Sequence, residues 1–142
     1  VPGIRYPLTI NGVAVVSAPA EIDVTTAQQL RMVLLDAARH GHATVVVDMT
    51  RTRFCDSAGL AVLAGAHRRA RAHGGGVRLV LPAGGAVARI LSFTGLDGFI
   101  PGFAGLEQAL AAGPAAAIRP SRPRPPVRRS PVRRPGRAAE RR

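Results

Sequence analysis

The sequence predicts a single α/β domain: a mixed, mostly parallel β-sheet with an N-terminal hairpin and about four helices, followed by a disordered basic C-terminal tail. Three observations carry this. Runs of β-branched residues alternate with stretches of helical period, the pattern of parallel strands joined by crossover helices. Asn11-Gly12 separates the first two strand-like segments and is the strongest short hairpin signal. At Gly113-Pro114 the apolar periodicity stops and an Arg/Pro-rich segment begins.

In chain order, Arg5–Ile10 and Val13–Ser17 read as the two antiparallel arms of the hairpin. Asp23 is placed to cap a helix whose Leu30, Val33, Leu34 and Ala37 recur at helix spacing, and Gly41 ends it. Thr44-Val45-Val46-Val47-Asp48-Met49 reads as a central strand. A second helix is expected from about Ser57 to His73, with Leu60, Leu63, Ala64 and His67 on its apolar side. Arg68, Arg69 and Arg71 fall in its last turns, where positive charge favours the helix dipole. Val77–Leu81 follows as a strand, then a helix over about 85–94 with Val87, Ile90 and Leu91 inward and Gly95 as its stop. Phe99-Ile100-Pro101 is expected to be a short edge strand, and Leu106, Ala109 and Leu110 mark a final helix. The domain is expected to cover 1–114 and the tail 115–142.

The net charge of +12 is unevenly placed. Residues 119–142 hold ten arginines against one acid, Glu140, whereas 1–118 hold ten arginines against seven acids. Prolines remove backbone donors, like charges repel, and large apolar side chains are nearly absent, so the tail cannot offset its ordering entropy. A weak contact with a polyanion is the expected use of such a segment. No apolar run is long enough to span a membrane. Val1–Tyr6 lacks an apolar core and is not expected to be a secretory signal, and the start at Val is expected to reflect a short missing N-terminal piece. The single cysteine, Cys55, fits a reducing, cytoplasmic compartment and is expected to be packed and inert.

Residues 45–60 carry the functional signal, running from a buried strand through a loop into a helix start. Asp56 or Ser57 sits where an N-cap belongs, and an anion there gains backbone donors and a favourable dipole. Ser57 is thus a position able to carry a phosphoryl group, and Gly59 is expected to give a partner room to approach. Taken alone, Asp-Ser before an apolar helix is usually only a cap. A catalytic serine is not expected, because no base stands beside it and the Gly-x-Ser-x-Gly frame is missing. No zinc spacing links His40, His42, His67 and His73, which read as surface or helix-end residues. The glycine clusters at 74–76 and 83–85 lack the Lys-Ser/Thr of a phosphate loop, and the chain has no lysine. Asp48 is expected to anchor its loop by a hydrogen bond rather than to hold a metal. No enzyme activity and no cofactor are expected.

The chain resembles the STAS family, specifically bacterial anti-anti-sigma factors. Ala20-Glu21-Ile22-Asp23 resembles the family's Gly-x-Leu-Asp at the end of its second strand. Val45–Asp48 with Phe54-Cys55-Asp56-Ser57-Ala58-Gly59-Leu60 resembles its Asp-Ser-Ser-Gly-Leu signature, and Ile90–Asp97 resembles a later Thr-Gly-Leu segment. The resemblance implies phosphorylation of Ser57 by a kinase that is also an anti-sigma factor. It implies that the unphosphorylated protein binds that anti-sigma factor through Asp23, Asp56, Ser57, Ala58 and Gly59, and that a phosphatase resets it. Ala20 and Ala58 depart from the pattern, the latter replacing the second serine. Two other readings are a STAS scaffold subunit of a stress-sensing or lipid-transport complex, and a nucleic-acid-associated protein working through its tail.

Overall fold

Asn11 and Gly12 both adopt left-handed backbone, φ 55° and 81°. That is what a two-residue hairpin turn matching the right-handed strand twist requires. In the computed structural model, which describes residues 5–112, this turn joins β1 (Arg5–Ile10) to β2 (Val13–Ser17), with Ile10 opposite Val13. The β-branched runs then supply β4 (Thr44–Asp48) and β6 (Gly76–Val80), which extend the sheet in parallel from β2. Two shorter strands precede them in part, β3 (Glu21–Ile22) and β5 (Phe54–Cys55), and β7 (Gly102–Phe103) closes the far edge. The main sheet runs β1-β2-β4-β6-β7, and β3-β5 form a separate two-stranded parallel sheet.

The helices are α1 (Val24–Arg39), α2 (Ser57–Ala72), α3 (Ala86–Thr94) and α4 (Leu106–Ala111). The main core lies where Ala14, Val16, Val45, Val47, Val77 and Leu79 of the sheet meet Leu30 and Leu34 of α1, Leu63 of α2 and Val87 and Leu91 of α3. On the opposite face Val15, Val46 and Val80 meet Ala109 of α4. With helices on both faces, β4 and β6 are apolar at successive positions rather than alternating. Arg78 interrupts this on the α4 side. It is 2% exposed, and its guanidinium donates to the Ala109 carbonyl, in the last turn of α4, at 2.7 Å.

The hairpin, the order of the large elements and the four helices match the sequence expectation. Three points correct it. The edge strand expected at Phe99-Ile100-Pro101 lies at Gly102–Phe103, beside Leu79 and Val80. Ile100 is instead sunk in the core at 1% exposure after a 3-10 turn at Leu96–Gly98. Ala20–Asp23 does not end the second strand but contains β3. His67 is not a surface residue: it is 5% exposed, its Nδ1 accepts from the Val77 N–H at 3.0 Å, and Phe99 stacks edge-on at 4.8 Å. Burial, and next the charge of Arg71, hold its pKa below 6.5. The expected tail, 115–142, lies outside the described residues. Among the described residues no helix is long and apolar enough to cross a membrane.

Candidate functional site

Two parallel strands, each two residues long, set the site. Glu21 pairs with Phe54 and Ile22 with Cys55, and the Asp56 N–H continues the ladder to the Ile22 carbonyl at 3.0 Å. Each strand runs directly into an aspartate and then a helix, so the register brings the starts of α1 and α2 side by side. Asp23 caps α1, its Oδ1 accepting from the N–H groups of Thr25 and Thr26, both at 3.0 Å. Thr26 Oγ1 in return accepts the Asp23 N–H at 2.9 Å, which completes a capping box. The backbone bond from Thr26, ahead of the other contacts, holds the Asp23 carboxyl below its usual range.

Asp56 caps α2, and its Oδ1 accepts from Ala58 N–H at 3.0 Å and Gly59 N–H at 3.2 Å. This decides between the two expected caps: Asp56 is the cap, and Ser57 is the first residue of the helix. Ser57 is exposed and Ala58 half-buried. Two of the first-turn amides are therefore already occupied by a carboxylate. A phosphoryl group on Ser57 would meet a helix end whose partial charge of about +0.5 is outweighed by the full negative charge of Asp56.

The loop that delivers Ser57 is tied down. Met49 N–H reaches the Val80 carbonyl at 2.8 Å, Thr52 Oγ1 donates to the Pro19 carbonyl at 2.8 Å, and Arg53 N–H donates to the Ala20 carbonyl at 2.7 Å. Asp48 anchors the loop as expected, accepting the Thr50 N–H at 3.0 Å and the Thr50 hydroxyl. Arg53 pairs with Glu21 at 3.2 Å in an exposed bridge across the two short strands.

Gly59 corrects the sequence reading. It is buried, and a Cβ there would lie 2.6 Å from Cys55 Sγ and 2.6 Å from Ile22 Cγ2. Its missing side chain lets α2 sit against β3 and β5 and gives no outward room to a partner. Cys55 is packed as expected. Burial first, and then the charge of Asp56, push its thiol up to about 12. Sequence reasoning missed two exposed apolar residues at the site, Val24 at 71% and Phe54 at 48%. The alternation Phe54 outward, Cys55 inward was the available signal, hidden by the shortness of the strand. Among the described residues no group of three potential metal ligands occurs.

Solved structures share this fold. An anti-sigma factor antagonist from Mycobacterium paratuberculosis is 28% identical with a TM-score of 0.66, over 79% of this chain and 96% of that one. SpoIIAA of Bacillus shares the fold in its phosphorylated form, at 22% identity and TM-score 0.58 over 76% of this chain and 96% of that one. It does so also in its unphosphorylated form, at 20% identity and TM-score 0.60 over 76% and 94%. Among curated proteins no sequence matches. The family model of the STAS domain matches residues 8–109, from the first hairpin into α4, and the chain belongs to that family.

Proposed function

We propose that this protein is an anti-sigma factor antagonist switched by phosphorylation of Ser57. In its unphosphorylated form it binds an anti-sigma factor that is also a serine kinase, and so regulates sigma-factor-dependent transcription. Phosphorylation releases it, and a phosphatase restores it. The observation that carries this reading is the placement of an exposed serine as the first residue of α2, directly after the Asp56 cap and beside the capped start of α1. Both aspartates point their carboxylates at their own helix amides. A new phosphate, with about −1.5 to −2 charges, then finds the amides of Ala58 and Gly59 already taken by Asp56 and stands as an unpaired charge in the interface with any bound partner.

The contact surface on this reading joins Asp23, Asp56, Ser57 and Ala58 with the exposed apolar Val24 and Phe54. Exposed apolar side chains beside the serine suit an interface whose centre excludes charge, which a desolvated phosphate disrupts. SpoIIAA, solved in both phosphorylated and unphosphorylated forms, has the same fold, which supports a fold that tolerates the modification. The test is to incubate the protein with a histidine-kinase-like anti-sigma factor and ATP and to map phosphate by mass spectrometry. Modification is expected at Ser57 and absent in Ser57→Ala. Phosphate elsewhere, or none with every cognate kinase, overturns the proposal.

A further inference from the structure

At the opposite end of α2 from Ser57, the C-terminal halves of α1 and α2 lie over the first residues of β4 and β6. They leave a cavity of about 480 Å³. Its depth is apolar: Val45 and Val77 form the floor, and Leu34 and Ala66 the inner walls, all less than a tenth exposed. The space exists because the facing helix positions Ala38, Ala66 and Ala70 end at Cβ. Neither floor nor walls can close over it. Gly75 packs so tightly on Ala43 that a Cβ there would lie 1.8 Å from the Ala43 carbonyl oxygen, which fixes the start of β6 against the start of β4.

Among the described residues the mouth has one sign of charge: Arg39, His42, Arg69 and His73 line it, and no carboxylate does. The nearest acid on α1, Asp36, faces His40 at 3.7 Å. Arg69 shares its reach with the neighbouring groove, since its guanidinium passes within 3.5 Å of where a Gly65 Cβ would lie. Arg39 lines this cavity and not the neighbouring groove. The two helix C-termini oppose an anion with about −0.5 charge each. Their terminal carbonyls are already occupied, Ala70 O by the N–H groups of His73 and Gly75 at 3.0 and 2.9 Å, and Ala37 O and Ala38 O by those of His42 and Gly41 at 3.1 and 3.0 Å. The full charge of Arg39 outweighs the partial charge of either helix end.

An apolar depth of this volume under a cationic mouth selects an amphipathic anion. We propose that this cavity is a second binding site, for a small carboxylate with an aliphatic body. The body fills the space over Val45 and Val77, and the carboxylate meets Arg39 at the mouth. The site stands apart from Ser57 and does not rest on the switch reading.

Decanoate is the probe, with decanol as its neutral match, titrated below its aggregation range into the ¹⁵N-labelled full chain. Saturable one-to-one shifts are expected at the amides of Gly41, Ala43, Ala70 and Val77, with decanol at least ten-fold weaker. Arg39→Ala is expected to weaken decanoate about ten-fold and leave decanol unchanged. Ala38→Leu places extra volume in the cavity from an exposed helix position, where it does not threaten folding, and is expected to abolish both. Non-saturating shifts, shifts centred elsewhere, equal binding of decanol, or an Ala38→Leu variant that binds as wild type would overturn the proposal.

Discussion

Gly59→Ala tests how the two helix starts are held together. In an ordinary helix the change is favourable by about 1 kcal/mol, because alanine loses less backbone entropy. Here the new methyl would stand 2.6 Å from both Cys55 Sγ and Ile22 Cγ2, about 1 Å inside normal contact. Both neighbours are almost fully buried, at 3% and 0% exposure, and neither has room to retreat. Overpacking of this kind costs about 1–3 kcal/mol, and two rigid neighbours place it in the upper half of that range. The net effect is a loss of about 1–2 kcal/mol. At about 4–8 °C per kcal/mol for a domain of this size, Tm falls by roughly 4–16 °C. Thermal and urea unfolding measure it. A second arm uses Cys55→Ala, which removes the sulfur contact and leaves that of Ile22. Gly59→Ala should then cost at least about 0.5 kcal/mol less in the Cys55→Ala background than in wild type. A Gly59→Ala protein as stable as wild type or more so, as helix propensity alone dictates, would refute the inward role given to this glycine.

Three further outcomes are expected. Because the folded-state pKa of His67 lies below 6.5, the unfolded chain takes up a proton first as pH falls. Its contribution to stability is therefore complete above 6.5 and lost below it, and urea midpoints should drop between about pH 7.5 and 5.5 by less in His67→Gln than in wild type. Arg78→Met keeps the apolar stem but removes the bond to the Ala109 carbonyl. It should cost about 1.5–3 kcal/mol locally, read as faster amide exchange in α4 with the Ser57 region unchanged. Cys55, with its thiol pushed up to about 12, should resist a thiol reagent at about pH 8 in the folded protein and react fully in denaturant.

What was legible in the sequence divides along physical lines. Asn11-Gly12 announced the hairpin because only residues tolerant of positive φ serve that turn. The valine run at 45–47 announced a central strand, and Val77–Leu81 the strand beside it. Asp23 and the Asp56-Ser57 pair were visible as helix starts. That Asp56 takes the cap, leaving Ser57 outside it, was not. The strands β3 and β5 are two residues long, and no periodicity can be read from two residues. Their pairing is what sets the two caps side by side. A glycine at a helix start reads equally as room for a partner or as room for the core, and only the positions of Ile22 and Cys55 decide it. His67 was hidden by its polarity: its period placed it on the apolar face, but its partners, the Val77 amide and Phe99, come from distant parts of the chain. The cavity between α1 and α2 left no motif, since it arises from side chains that are too small.

The central claim is that the exposed hydroxyl of Ser57 governs partner binding. The most direct measurement is the Kd of the cognate anti-sigma factor for the unmodified protein and for protein phosphorylated on Ser57, at fixed salt. The account predicts tight binding by the unmodified form and at least about ten-fold weaker binding, 1.4 kcal/mol or more, by the phosphorylated form, with Ser57→Asp intermediate. Equal affinity of all three forms would contradict it.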